Sequence, residues 1–88
     1  GGAVSTAVGE RLKKLGKNRQ VLVVTHSPQV ASLGVHHFLV KKKLLNDSTS
    51  IDVIKIDGSH KTNEIARMLS GKQITNEAVE AAKKLIES

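Results

Sequence analysis

The chain has no cysteine, tryptophan or tyrosine, and only one phenylalanine and one proline among 88 residues. Without cysteine there is neither a disulfide framework nor a thiolate metal site, a usage that agrees with a cytosolic protein. The near-absence of aromatic rings leaves a core of Val, Leu, Ile and Ala, without the contributions of about 150–250 Å² that each ring brings. It also removes the stacking platform used to hold single-stranded nucleic acid. No apolar run approaches a membrane span and no signal-peptide pattern opens the chain, so no membrane partner is expected.

Eighty-eight residues make at most one small domain, able to bury about 60–65% of its unfolded surface. The formal net charge of +6 permits nucleic acid or another anionic partner, although a solvated basic surface is the commoner reason for such an excess.

The most informative stretch is Val21-Leu22-Val23-Val24-Thr25-His26-Ser27-Pro28-Gln29-Val30. Four consecutive apolar residues, three of them β-branched, predict a short strand buried on both faces. Ser27 and Pro28 then offer an N-cap and a first-turn proline for a helix ending near Leu33, before Gly34. In open α/β sheets ligands sit beyond the carboxyl ends of the strands, and a helix N-terminus there turns its N–H groups toward an anion. His26 is where a phosphate-sensing imidazole has to stand. On residues alone, such a histidine is more often a packed or surface residue than a catalytic one. Thr25 and Gln29 are placed to hydrogen-bond around it, but strand termination and helix solubility are the commoner reasons for such residues.

Elsewhere Ala3, Val4, Ala7, Val8, Leu12 and Leu15 recur at helical spacing and predict a helix from about Ala3 to Leu15, closed by Gly16. His36 to Lys42 and Ser50 to Asp57 read as the strands of a β-hairpin turning at Asn46-Asp47-Ser48 and ended by Gly58-Ser59. Their alternation leaves open which face is buried. Ile65, Met68 and Leu69 mark a helix stopped by Gly71. A last helix starts at the N-cap Thr75, with Glu77 in its first turn and Val79, Ala82, Leu85 and Ile86 as its buried stripe. Ile74 and Val79 have the spacing of a hydrophobic staple. The expected order is αβαββαα in one α/β unit spanning residues 1–88.

Gly1-Gly2-Ala3-Val4 leading into a helix, the stretch from Val21 to Ala31, and Glu64-Ile65-Ala66-Arg67-Met68-Leu69-Ser70-Gly71 together resemble the C-terminal end of the RecN family. These are bacterial SMC-like DNA double-strand-break repair ATPases, related to the ABC ATPases. The resemblance covers nearly the whole chain. It implies the C-terminal part of a P-loop NTPase head of ABC/SMC type, beginning inside the D-loop just after Walker B. It further implies that His26 is the switch histidine near the γ-phosphate of ATP, with Gly1 and Gly2 at the end of the D-loop facing a partner head. A cloning remnant is the competing reading of the two glycines.

Through the resemblance, ATP and Mg are cofactors of the complete protein. Its partners are then the remainder of its own head, a second head in an ATP-dependent dimer, and DNA in repair and recombination. Its place is the cytoplasm, at the nucleoid.

No Gly-x-x-x-x-Gly-Lys-Ser/Thr phosphate loop and no acidic pair after an apolar strand occurs in these 88 residues, so this stretch alone is expected not to hydrolyse ATP. His36-His37 point to opposite faces of a strand and His60 has no partner, so no metal site is expected. Lys41-Lys42-Lys43 suit a hairpin edge protected from pairing. With Lys13, Lys14, Lys17 and Arg19 they could instead form a DNA-contacting patch. The alternative to an ATPase head is a free-standing basic module that binds nucleic acid or another partner without nucleotide chemistry.

Overall fold

Pattern, caps and turns dictate most of the elements in the computed structural model, which describes all residues from Gly1 to Ser88. Helix α1 spans Gly2–Gly16, α2 spans Pro28–Ala31, and strands β1 (His37–Leu45) and β2 (Ser48–Ile56) form an antiparallel hairpin. Helices α3 (Gly58–Ser70) and α4 (Asn76–Glu87) complete the chain. The architecture is α/β.

The order is ααββαα rather than the expected αβαββαα. Val21–Val24 is not a strand, because no segment of these 88 residues pairs with it. Nor is it buried on both faces: Leu22 is 85% exposed and Val24 92%. An apolar, β-branched run favours extended backbone, but a strand exists only through its ladder partner.

The core lies between α3 and α4. Ile65, Ala66, Ala78 and Ala82 are buried, with Ala31, Met68, Val79, Leu85 and Ile86 packed against them. Helix α4 begins as the sequence predicts, with the Thr75 hydroxyl accepting the Ala78 N–H at 3.1 Å. Helix α3 ends at Gly71, whose φ of 84° is a conformation glycine adopts without a Cβ penalty. It starts earlier than its apolar periodicity suggests, because Gly58, at φ 53°, opens it rather than ending the hairpin.

Cross-strand pairs in the hairpin share a face. The side carrying Phe38, Val40, Ile51 and Val53 is exposed, whereas His37, Leu39 and Ile56 on the other side are half-buried. The two-residue loop is Asn46-Asp47, with Asn46 at φ 54°, a backbone region that asparagine tolerates.

Helix α1 forms as predicted, but its apolar stripe is largely uncovered: Val4 is 66% exposed and Val8 and Leu15 47% each. Gly16 does not close it in a left-handed turn. The chain continues through Lys17 in right-handed conformation. Its one buried residue is Gly9, where α1 crosses α2. A Cβ there would stand 2.6 Å from Leu33 Cδ1 and 3.4 Å from Val30 Cα.

Gly9→Ala is expected to be nearly neutral, since Leu33 can turn away and alanine gains up to about 1 kcal/mol of helix propensity. Gly9→Val adds two methyl groups against the α2 backbone and should cost about 1–3 kcal/mol. Denaturant unfolding with hydrogen exchange along α1 checks this; equal stability of the two variants would refute a close helix crossing at Gly9.

Candidate functional site

The site is built where the extended Val21–Val24 segment meets α2. Thr25 Oγ1 accepts the Ser27 N–H at 2.9 Å, which bends the backbone at His26 and leaves its imidazole exposed. Ser27 caps α2, its hydroxyl accepting the Val30 N–H at 3.4 Å and donating to Gln29 Oε1 at 3.1 Å. Thr25 and Gln29 therefore fix Ser27 rather than solubilise a helix. The spacing Thr-x-Ser-x-Gln carries that signal, and a reading centred on His26 passes over it.

The helix terminus is a weaker anion site than expected. Pro28 has no N–H, the Val30 N–H is taken by Ser27, and α2 is only four residues long. Little of a helix dipole remains at that length. What the loop offers an anion is the exposed His26 side chain.

Gly2 opens α1 beside this loop. A Cβ on Gly2 would lie 3.5 Å from Gln29 Nε2, and Gly1 caps the helix through its carbonyl, which accepts the Ser5 N–H at 3.1 Å. The fold thus brings Gly2 and Gln29 together, and Gln29 is bonded to the Ser27 that follows His26. Gly1 stands in open space.

The other candidates separate. His36 is exposed, His37 is half-buried, and no group of three or more His, Cys, Asp or Glu side chains is gathered to hold a metal ion. Burial pushes the His37 pKa down, aided by the Lys61 ammonium and opposed by Glu64. Lys61 itself donates to the Gly34 carbonyl at 2.9 Å, tying α3 to the end of the loop after α2. Lys43 pairs with Asp52 at 3.8 Å, both half-exposed, so the contact contributes little.

Most of Glu64-Ile65-Ala66-Arg67-Met68-Leu69-Ser70-Gly71 has a structural basis. Glu64 is buried and accepts from Arg67 Nε at 2.9 and 3.0 Å, a pairing that raises the guanidinium pKa. Ile65 and Ala66 fill the core, Met68 packs against it, and Gly71 ends the helix.

The chain is 44% identical over 86 residues, 98% of its length, to the DNA repair protein RecN of Rickettsia bellii. It is 44% identical to that of Xylella fastidiosa over 99% of its length, and 41% to that of Vibrio cholerae over 97%. The likeness to RecN holds over nearly the whole chain. The chain spans about 15–16% of the length of these relatives. No protein-family model matches it. No helix is long and apolar enough to cross a membrane.

Proposed function

We propose that this chain is the C-terminal part of the ATP-hydrolysing head of a RecN-like DNA repair protein, acting on broken DNA in recombination. The observation that carries the reading is the match to RecN along 98% of the chain, with the loop that holds His26 set beside Gly2.

In this reading His26 holds a proton at an imidazole nitrogen and donates it in a hydrogen bond to a terminal phosphate oxygen. A positioned N–H donor is most useful where negative charge develops during phosphoryl transfer. Thr25, Ser27 and Gln29 fix the bend from which the imidazole projects. Gly1 and Gly2, without side chains, let a second head approach the start of α1. ATP, with its Mg, supplies the scissile phosphoanhydride when bound. An exposed imidazole on an open loop fits a contact completed by other segments and does not enclose a nucleotide by itself. The reading also places the protein in the cytoplasm, at the nucleoid.

The 88-residue chain alone is expected to show no ATP turnover and at most millimolar nucleotide affinity, because one histidine cannot replace a phosphate loop and its metal ligands. Turnover by the purified chain that disappears with His26→Ala would overturn this. The coding frame upstream of Gly1 is the direct test of the head itself. An acidic Walker B strand immediately before Gly1 supports it, and a start codon there favours a free-standing module.

A further inference from the structure

Five of the nine residues from Arg11 to Arg19 are basic, and none of the three ion pairs in the structure involves any of them. Arg11, Lys14, Leu15 and Asn18 fall at i, i+3, i+4 and i+7, one face of α1 and the turn that continues it. With Arg19 they line an open hollow of about 450 Å³. Its walls carry two guanidinium groups, an ammonium and an amide, with no carboxylate among them. The C-terminal dipole of α1 attracts cations to its last turn, where Lys13 and Lys14 stand. It accounts neither for Arg11, one turn earlier, nor for Arg19, beyond the helix. The dipole brings about half a negative charge, against three full cations around the hollow.

We propose that this hollow is a contact surface for the phosphate backbone of duplex DNA. Arginine forks and an amide suit phosphate oxygens in fixed geometry, and a lysine adds a point charge. The absence of aromatic side chains around the hollow removes a stacking platform for unpaired bases, which favours backbone contact with a duplex over a grip on single strands. The hairpin lysines are not part of it: Lys41 and Lys43 lie on one face, Lys42 on the other, and Lys43 is engaged by Asp52. The choice of DNA over another polyanion rests on the repair reading above; the hollow's affinity for phosphate does not.

The test compares two triple variants of the complete RecN-like protein by fluorescence anisotropy with a labelled DNA duplex. Arg11→Gln/Lys14→Gln/Arg19→Gln and Lys41→Gln/Lys42→Gln/Lys43→Gln each remove three positive charges, taking the formal net charge of these 88 residues from +6 to +3. At about 50 mM salt the α1 variant should bind roughly 10-fold or more weakly, and its salt slope should fall by about 2.7, three phosphates' worth. The hairpin variant should lose less than about 3-fold.

Circular dichroism checks that both variants keep their helix content, and single substitutions of Arg11 and Arg19 by lysine, which keep the charge, cover the case of a misfolded triple. Equal losses in the two triple variants would mean a diffuse basic surface and overturn the proposal. Tighter binding of a polyglutamate peptide than of the duplex would assign the hollow to an acidic protein segment instead. Competition by inorganic phosphate as effective, per phosphate, as the duplex would reduce it to a free-phosphate site. Each of these failures leaves the role of His26 in ATP hydrolysis standing, since that is read by turnover.

Discussion

His26→Ala in the complete RecN-like protein is expected to lower kcat by roughly 10-fold or more, about 1.4 kcal/mol or more of transition-state stabilisation. On the proposed reading nucleotide binding should weaken much less, since the phosphate loop and metal ligands then belong to other segments of the head. The local structure makes this a clean substitution. The imidazole is exposed at a bend whose hydrogen bonds run among Thr25, Ser27, Gln29 and Val30. Removing it leaves those bonds and the α3–α4 core in place. Steady-state ATP hydrolysis, with nucleotide affinity measured separately, reads the effect. Unchanged turnover in a folded mutant would make His26 an ordinary surface residue at the end of an extended segment.

Parts of the chain that obey local rules were readable from the residues alone. Thr75 caps α4, Gly71 ends α3, Pro28 opens α2, and Asn46 turns the hairpin, because each depends on chemistry within a few positions. The C-terminal stripe was readable for the same reason, with Ala82 buried and Val79, Leu85 and Ile86 packed on the core. Features that depend on distant partners were not. Val21–Val24 has the composition of a central strand, yet a ladder requires a second strand that these residues do not contain. Likewise the regular stripe of α1 says which residues seek cover, but not that the one buried position of the helix, Gly9, lies outside that stripe. Around His26 the position was legible and the support was not, since Thr25 and Gln29 act through Ser27 rather than on the imidazole.

The unpaired Val21–Val24 segment and the uncovered stripe of α1 lead to the second large effect, low stability or self-association of the 88-residue chain. Its accessible surface is 6927 Å², whereas a folded monomer of its 9.4 kDa mass should expose about 5,000 Å². The excess is more than twice the roughly 800 Å² that a standard protein interface takes from one partner. Much of it is aliphatic: Leu22, Val24 and Val35 are each more than four-fifths exposed, and Val4 and the Phe38–Val53 face of the hairpin lie open. The core meanwhile holds one large, fully buried side chain, Ile65.

On the proposed reading, Val21–Val24 takes its place in the head's sheet, with neighbours on both sides, one of them the Walker B strand. Without them its backbone groups and apolar side chains form a template for pairing with another chain. Sedimentation from micromolar to near-millimolar concentration should therefore show association, or denaturant unfolding should show a stability well below that of complete domains. A strictly monomeric chain more stable than about 8 kcal/mol would be an autonomous domain, and its exposed apolar surface would then need no missing neighbour to explain it.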